Sequence, residues 1–493
     1  MDSVRQDLKF VARSLGRQPG FTAAAILTLA LGIAASTAIF SLVDSALLRA
    51  LPFDDAGRLV MLWGVAGPER DIRGASFPEV RDWREQNRSL TALSIYDPTS
   101  VNLRAGEEPV RVQAEMVSAS YFSLVGVEAS AGRTFVDDDD RAPDRSPVIV
   151  ISHRLWQGRF SGATDIVGRS VMVNDRGFTV VGVMPAGFNG LSFESDVWVP
   201  AMMVSIFASP SVVENRGNRW LAAVGRLRPG TALEEAQRDL DRVAAHLADT
   251  HPASNRDRGV RLMSLHENYL GSTRDLLPAL FAAVLLLLLV ASANVTSLQL
   301  VRGAARQREV AVRLALGATR GRLVRQMLTE AAVLALAGGA LGSLLALWAL
   351  DVLVPLIPAG ALPRYVRPGV DGRALAAAFA FSLLSAGAFG LVPALRAWRD
   401  GFGDGLKEGA RAARSGLSSI RRPGLQQGLV VAQVSVALVL LIGAALLARS
   451  LQAQLAVSPG FEAKSVTAAR LTLSAELYNH EARTQFAARL VER

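Results

Sequence analysis

The sequence contains no cysteine, and among its 493 residues there are only three lysines. Without cysteine, the chain cannot form disulfides, cysteine-ligated zinc or iron–sulfur sites, or a catalytic thiolate. Lys9, Lys407 and Lys464 each follow leucine or alanine, so none completes the Gly-Lys-Ser/Thr sequence of a nucleotide-binding phosphate loop. The chain itself therefore does not supply the usual P-loop ATPase site.

Charged residues are also scarce, at 20%, whereas half of the residues are hydrophobic and the mean hydropathy is +0.27. This balance is too apolar for a disordered chain and too charged for a protein that lies wholly within lipid. The net charge of +9 comes from arginines that crowd beside apolar runs. That distribution is typical of membrane proteins rather than of nucleic-acid-binding proteins, so we expect a part-membrane, part-aqueous protein without a nucleic-acid partner.

Five long stretches carry no charged side chain: 21–43, 276–301, 331–350, 374–395 and 424–448. About 20 apolar residues suffice to cross a bilayer as a helix, and a charge at the helix centre costs roughly 2.5–3.5 kcal/mol on insertion scales. The sequence therefore predicts five spans. The alternatives are a buried helix of a soluble protein for any one stretch, and a signal peptide for the first.

Arginines set the expected orientation of these spans. They cluster before the first span, between the second and third, and between the fourth and fifth. Under a five-span count all three clusters lie on one side, which the positive-inside rule makes cytoplasmic. The expected divisions are a cytoplasmic N-terminus at 1–20, a first span at 21–49, an extracytoplasmic domain at 50–275, a second span at 276–301, a cytoplasmic segment at 302–325, third and fourth spans at 326–395, a cytoplasmic linker at 396–423, a fifth span at 424–449 and an extracytoplasmic segment at 450–493.

The segment 50–275 is long enough for one compact domain with its own core. The apolar run 147–151 is typical of a buried strand. Two further strands are predicted at 170–174 and 178–183, joined by the glycine-containing connection 175–177. Mixed with the helix described next, these strands predict an α+β domain.

One helix of this domain is predicted from its periodicity. Thr231 and Glu234 form a capping-box pattern at its start. Apolar residues then recur on one face, and charged residues occupy the other face, which is expected to face water. The apolar face consists of Leu233, Ala236, Leu240, Val243, Ala244 and Leu247, and the charged face of Glu234, Glu235, Arg238, Asp239 and Arg242.

The domain shows no catalytic constellation. Its histidines are scattered, and His266 begins a His-Glu pattern that lacks the second histidine of a zinc-protease helix. The acidic run 137–140 lacks the alternating ligands of a calcium loop, which favours a solvated loop. No Gly-x-Ser-x-Gly elbow occurs in the sequence. We expect no enzymatic activity and no catalytic, metal or cofactor site in this chain.

Within the third predicted span, Gly338 and Gly342 stand four residues apart and so lie on one helix face. Small residues at this spacing permit close contact between membrane helices, which makes these two glycines predicted helix-packing residues. The alternative is that they reflect the general frequency of glycine in membrane helices.

The segment between the second and third spans is the most informative part of the sequence. Residues 308–316 fit a short helix with Gly317 just past its end, and Thr319 is placed to cap the following helix. A short helix across the cytoplasmic mouth of two spans has the form of a lever that a partner protein can push. The alternative is a basic loop that holds the topology and binds anionic lipid.

The sequence Arg-Glu-Val-Ala-Val-Arg at 308–313, followed by Leu-Gly-Ala-Thr at 316–319, resembles the coupling segment of permease subunits of the MacB/FtsX/LolC type of ABC transporter. The segment 50–275 is similar to the periplasmic core domain of that family at several short motifs, at 132–135, 150–156, 166–168, 180–185, 196–198 and 226–230. Residues 7–15 and 31–52 resemble the duplicated "orphan permease" (ADOP-like) subgroup.

This resemblance implies a MacB-like core domain at 50–275 and an FtsX-like permease domain at 276–400. One family repeat ends near residue 400, so the fifth span is expected to open a second repeat that is truncated at Arg493. The resemblance also implies which residues contact the ATPase. These are Arg308, Glu309, Val310, Arg313, Leu314, Gly317, Ala318 and Thr319.

The function implied is that of a permease subunit in the plasma (inner) membrane of a bacterium, which couples ATP hydrolysis by a separate cytoplasmic ATPase to movement of the extracytoplasmic domain. Efflux or export of amphiphilic compounds, peptides or lipoproteins is expected, with ATP used by the partner and no cofactor in this chain. Further implied partners are membrane lipid, a second permease half or a homodimer, and a periplasmic adaptor or outer-membrane channel. The alternative is an FtsX-like signalling or scaffold protein that regulates an extracytoplasmic partner such as a cell-wall hydrolase.

Overall fold

The computed structural model describes residues 11–491 except 12, 50, 107, 272, 306–318, 357–364, 367, 400–424 and 458–479. The described residues form two compact units. A helical unit takes its residues from 1–49, 272–362 and 366–466, and a sheet unit takes its residues from 50–271, 363–365 and 467–493. The predicted fold class, membrane helices together with an α+β domain, is confirmed.

In chain order, the helices of the described residues are α1 (Pro19–Val43), α2 (Phe77–Gln86), α3 (Tyr121–Val125), α4 (His153–Phe160), α5 (Leu233–Thr250), α6 (Pro252–Asn255), α7 (Leu265–Leu270), α8 (Thr273–Ala305), α9 (Arg320–Leu353), α10 (Gly372–Arg399), α11 (Leu425–Leu455) and α12 (His480–Val491). A π-helical turn, Asp44–Leu48, continues α1. The strands are β1 (Leu59–Ala66), β2 (Asp71–Arg73), β3 (Leu90–Arg104), β4 (Val110–Val117), β5 (Ala131–Gly132), β6 (Val148–Ile151), β7 (Ser170–Val173), β8 (Arg176–Val183), β9 (Val197–Pro200), β10 (Ala222–Leu227) and β11 (Arg258–Ser264).

In the helical unit, α1 packs against α8, α9 and α10, while α11 packs against α8. Leu29 and Ile33 of α1 are fully buried in an apolar core that also contains Val295 and Leu334. Side chains that face away from this core are apolar as well, and Trp348 is 66% exposed. Helices that are apolar on both sides are typical of a membrane environment.

Four of the five predicted spans coincide with helices that are long and apolar enough to cross a bilayer. Their apolar segments are Pro19–Leu48, Leu277–Gln299, Val324–Leu353 and Val430–Ser450. The remaining predicted span, 374–395, lies on α10, whose apolar part among the described residues is the shorter segment Gly372–Gly387.

The sheet unit is built on an 11-stranded mixed sheet with the strand order β11-β1-β10-β3-β4-β9-β6-β8-β5. Strand β2 pairs with β1, and β7 pairs with β3 and β8. The pairs β4–β9 and β6–β8 are parallel. Ile95 faces an apolar cluster with residues of α2 and α5, whereas the next residue, Tyr96, faces a second cluster rich in aromatic side chains. The two faces of β3 therefore contribute to separate cores, and Val101 and Leu103, further along the strand, lie in a third.

The predicted buried strand and the predicted hairpin are both confirmed, as β6 and as β7–β8. The prediction of residues 175–177 as the connection was wrong. The turn consists of Asn174 and Asp175, whose φ angles are 47° and 67°. Two positive φ angles are typical of a two-residue type I′ turn, which Asn and Asp tolerate. Gly177, which suggested the later turn, pairs with Met172 inside the hairpin.

The predicted apolar face of α5 is confirmed, because Ala236, Leu240, Val243 and Leu247 are buried. The predicted capping box was wrong. The N-cap is Ala232, and no side chain caps this end of the helix. Asp239 was expected to face water, but it accepts hydrogen bonds from the Arg88 and Ser89 amides at 2.6 and 3.1 Å.

Strand β11 forms one edge of the sheet, and the side chain of Gln237 bonds two of its backbone groups. Gln237 Nε2 donates to Val260 O at 2.9 Å, and the Leu262 amide donates to Gln237 Oε1 at 2.8 Å. Arg70 Nη2 also donates to Val260 O, at 2.8 Å. The amide of Gln237 thereby takes the place of a neighbouring strand and protects this edge.

Candidate functional site

The predicted coupling segment meets the described structure at the start of α9. Thr319 is exposed and is the N-cap residue of α9, where its carbonyl accepts a hydrogen bond from the Arg322 amide at 3.1 Å. The predicted cap position is therefore right, but the Thr319 hydroxyl makes no capping hydrogen bond. The other predicted coupling residues lie outside the described residues: Arg308, Glu309, Val310, Arg313, Leu314, Gly317 and Ala318.

From this point α9 continues without a break for 34 residues, which corresponds to about 50 Å at about 1.5 Å per residue. That length exceeds the hydrocarbon thickness of a bilayer, about 30 Å.

Gly338 and Gly342 lie on the face of α9 that packs against α1. A Cβ atom added at Gly338 would lie 2.8 Å from Leu29 Cβ, and one added at Gly342 would lie 2.9 Å from Ala30 O. On another face of α9, a Cβ added at Gly339 would collide with the Ser382 hydroxyl of α10. Glycine at these positions therefore allows α1 and α10 to approach the α9 backbone closely.

Four charged residues gather where the C-terminal end of α1 meets the start of α10, and we call Asp44, Arg49, Asp371 and Arg373 the Asp44 cluster. Arg49 Nε lies 3.1 Å from Asp44 Oδ2, and Arg373 Nη1 lies 3.4 Å from Asp44 Oδ1. Arg49 also pairs with Asp371. The side chain of Asp44 is only 4% exposed, so both arginines neutralise a buried carboxylate.

A second contact lies beside the Asp44 cluster. The Ser41 hydroxyl donates to Gly369 O at 2.7 Å, and the Gly369 amide donates to Ser41 Oγ at 2.9 Å. The sequence analysis missed both contacts, because these residues are more than 300 positions apart in the chain. The available signal was the charges that flank the uncharged runs, with Asp44 directly after the first run and Arg373 directly before the fourth.

In the sheet unit, the most deeply buried carboxylate is that of Glu115 on β4, which is 0% exposed. It accepts three hydrogen bonds of 2.7 Å, from the Tyr121 hydroxyl, the Ser192 amide and Trp198 Nε1. Burial raises the pKa of the Glu115 carboxyl, and these donors oppose that shift. The arrangement fixes the loop that contains Ser192 against the sheet.

The acidic run 137–140 was predicted to be a solvated loop, but two of its four carboxylates accept hydrogen bonds within the fold. Asp139 is buried and pairs with Arg133 at 2.6 Å. Asp140 accepts from the Ala119 and Met202 amides at 3.2 and 2.9 Å, and burial raises the pKa of its carboxyl to about 6. These two residues therefore hold this segment in place, while Asp137 and Asp138 are exposed.

No group of three or more histidine or acidic side chains suited to a metal ion occurs among the described residues. An open groove of about 630 Å³ beside β11 is lined by charges of both signs, including Glu69, Arg238 and Glu267. Such a lining favours neither an anion nor a cation.

The short motifs that suggested a family resemblance lie at tightly packed positions of the sheet unit. Asp196 accepts from the Ser152 hydroxyl at 2.8 Å and from Arg154 Nε at 3.0 Å. Trp198 is fully buried and holds Glu115, and a Cβ added at Gly182 would collide with Arg133 O. These residues maintain the packing of the domain.

Two family models match the chain in succession. The MacB-like periplasmic core domain matches residues 22–243, and the FtsX-like permease C-terminal domain matches residues 281–401. The first match covers α1 and most of the sheet unit, and the second covers α9 and α10 and nearly all of α8.

Curated relatives align over fewer residues than the two family models together. The chain is 28% identical over 307 residues to the macrolide export ATP-binding/permease protein MacB of Salmonella typhi, which covers 61% of this chain and 44% of that protein. It is 28% identical over 305 residues to the MacB protein of Escherichia coli strain K12, with the same shares covered. The chain thus spans less than half the length of these relatives.

Among solved structures, the periplasmic region of MacB from Actinobacillus actinomycetemcomitans aligns with a TM-score of 0.34 and 15% identity, covering 45% of this chain and 94% of that one. The extracellular domain of the noncanonic ABC-type transporter YknZ from Gram-positive bacteria aligns with a TM-score of 0.32 and 16% identity, covering 41% and 99%.

Proposed function

We propose that this chain, which is an ABC permease of the MacB/FtsX type, couples ATP hydrolysis by a separate cytoplasmic ATPase to movement of its MacB-like domain. The observation that carries the proposal is the continuity of α9. This helix begins directly after the predicted coupling segment and packs through glycine contacts on α1, and the chain passes from the end of α1 into the sheet unit.

The nature of the relatives supports the ATP-dependent part of the proposal. The curated relatives are named as ATP-binding/permease proteins. The three lysines of these 493 residues do not complete a phosphate loop, which supports the proposal that a separate ATPase binds the ATP.

The proposed orientation follows the arginine bias, with the N-terminus and the segment 302–325 in the cytoplasm and the sheet unit outside it. The relatives are named for macrolide export. In this chain we propose export of amphiphilic compounds, peptides or lipoproteins, together with a second permease half or homodimer and a periplasmic adaptor or outer-membrane channel as partners.

Charge reversal in the coupling segment tests this function. In membranes that contain the full chain and the ATPase that copurifies with it, the variant R308E/R313E should lose stimulation of ATP hydrolysis, because the charges that face the ATPase are inverted. The matched control is R411E/R414E, which reverses the same number of arginines in the linker 396–423. Both variants should insert into the membrane at the wild-type level.

Unchanged stimulation in R308E/R313E would contradict the coupling role of this segment. If no ATPase copurifies with the wild-type chain while a cell-wall hydrolase does, the FtsX-like signalling function replaces the transport function.

A further inference from the structure

The contacts between α1 and α10 join two parts of the helical unit that are distant in sequence. Asp44 and Arg373 lie 329 positions apart, and Ser41 and Gly369 lie 328 positions apart. The two contacts lie side by side at the same end of the unit, and Asp371 also caps α10 by accepting from the Arg373 and Ala374 amides at 3.1 and 3.0 Å. The Asp371 carboxylate thus fixes the start of α10 and also pairs with Arg49, which follows α1.

The π-helical turn Asp44–Leu48 explains how α1 supplies both charges of its side of the contact. The Arg49 amide donates to Asp44 O at 2.9 Å, which closes a turn one residue wider than in an α-helix. That turn places Arg49 beside Asp44, so Arg49 reaches Asp44 with Nε and Asp371 with Nη2. The side chain of Arg49 therefore bridges the two helices.

The burial of Asp44 makes this junction costly to open. With its side chain 4% exposed, Asp44 depends on Arg49 and Arg373 for its neutralisation. Removal of one partner from a buried pair is strongly destabilising, because it leaves an uncompensated charge. By contrast, an ion pair between exposed side chains contributes little.

From these contacts we infer that the Asp44 cluster, together with Ser41 and Gly369, is a clamp that stays closed while the helical unit moves, so that α1 and α10 move as one body. This inference rests on the coupling function proposed above. The clamp residues are positioning residues, since they act by fixing the end of α1 from which the chain enters the sheet unit.

Crosslinking between cysteines introduced into the naturally cysteine-free chain tests the clamp. In the variant S41C/G369C, a short bis-methanethiosulfonate reagent should join the two thiols rapidly, because Ser41 Oγ contacts both backbone polar atoms of Gly369 while a Cβ added at Gly369 lies in open space, with nothing within 4 Å. A direct disulfide is not expected, because its two Cβ atoms lie about 3.8 Å apart on average. The control T28C/G369C places the first cysteine about 20 Å further back along α1 and should not crosslink. Both are measured on the purified full chain in lipid nanodiscs, by mass spectrometry of the linked peptides.

Adding D44N to S41C/G369C should lower the rate of crosslinking by about tenfold, because Arg373 then loses its ion pair with α1 and Arg49 keeps only its pair with Asp371. The matched control D351N removes an exposed carboxylate at the end of α9 and should leave the rate unchanged. If D44N does not fold, R373Q removes a partner whose side chain is 63% exposed and should lower the rate in the same direction. Equal rates in all variants would overturn the clamp.

The crosslinked protein also separates a closed clamp from an opening gate. With the copurified ATPase, S41C/G369C carrying the crosslink and the same protein after reductive release of the crosslink should give equal stimulation of ATP hydrolysis. Loss of stimulation on crosslinking, with recovery on release, would show that this junction opens and would overturn the inference. The crosslinking rates need no ATPase, so they stand or fall independently of the R308E/R313E result.

Discussion

Gly190 lies directly against the buried carboxylate of Glu115. A Cβ added at Gly190 would collide with both carboxylate oxygens, and the φ angle of this residue is +73°. Glycine is needed there for two separate reasons, the left-handed backbone and the close approach of Glu115. The hydrogen bonds of Glu115 to Tyr121, Ser192 and Trp198 depend on that approach.

The substitution G190A should therefore destabilise the sheet unit more than backbone strain alone explains. Its matched control is G187A, since Gly187 has a φ of +90° and nothing within 4 Å of an added Cβ. Strain should cost about 1–2 kcal/mol in G187A, and displacement of Glu115 should add about 2–3 kcal/mol in G190A. Urea unfolding of the full chain in detergent, followed by tryptophan fluorescence, measures both. Equal losses would show that Glu115 does not depend on Gly190.

Asp97 on β3 gives the sheet unit a pH dependence. Burial raises the pKa of its carboxyl to about 7, from 3.8, because the charged form is poorly solvated there. The folded protein therefore holds this proton more tightly than the unfolded chain does. The stability that this group contributes is fully present below about pH 4 and is lost as the pH rises to about 7. Asp140, with a pKa of about 6, acts in the same direction.

We expect the thermal unfolding midpoint of the full chain to decrease as the pH is raised from 4 to 7. The substitution D97N should remove most of the loss of stability that Asp97 causes over this range, which is of the order of 4 kcal/mol. Asn cannot ionise, so the penalty for a buried charge disappears. The variant D137N serves as the control, because Asp137 is exposed. A slope that is the same in D97N and in the wild type would contradict this assignment.

At the scale of elements, the close contact between α1 and α9 depends on glycines, which have no side chain to hold the helices apart. Gly338 and Gly342 bring α9 against Leu29, Ala30 and Ile33 of α1. In a membrane, where lipid tails are as apolar as the side chains, such close packing replaces the hydrophobic effect as the main attraction between helices.

The variants G338A and G342A should each destabilise the helical unit by about 1–3 kcal/mol, since the added methyl group has no space. The control G387A, in α10, adds a methyl group where nothing lies within 4 Å, so it should be neutral or should stabilise by about 0.5–1 kcal/mol. Thermal unfolding in detergent, detected by aggregation, ranks the three variants. A G338A protein as stable as G387A would exclude close packing at this point.

Sequence reasoning succeeded for these elements where the signal was local. Uncharged runs located α1, α8, α9 and α11, and the 3.6-residue periodicity identified the buried face of α5. It failed where two local signals competed. Gly177 suggested a turn that Asn174 and Asp175 form, and Thr231 suggested a cap that the helix does not use. The Asp44 cluster was missed because its partners meet only after the helices have packed.

At the scale of the whole molecule, the chain joins a sheet unit and a helical unit with different solvents. The sheet unit has three apolar core clusters and an extensive network of ion pairs and side-chain hydrogen bonds, whereas the helical unit has apolar side chains both inside and outside. The proposed topology assigns the first to an aqueous compartment outside the cytoplasm and the second to the membrane.

Single cysteines test this topology without background labelling. S161C, at an exposed position after α4, should react with a membrane-impermeant maleimide added to intact cells. S415C, in the linker 396–423, should react only after the cells are opened. Reaction of both from outside would contradict the five-span orientation.

The side chain of Gln237 has a consequence for crowded membranes in which many copies lie side by side. A bare strand at the rim of a sheet acts as a template on which like chains stack into fibrils. Here the Gln237 side chain of α5 makes hydrogen bonds to the outward-facing Val260 carbonyl and Leu262 amide of β11. A second copy therefore cannot extend the sheet at Val260 and Leu262 unless the Gln237 side chain first leaves these two groups.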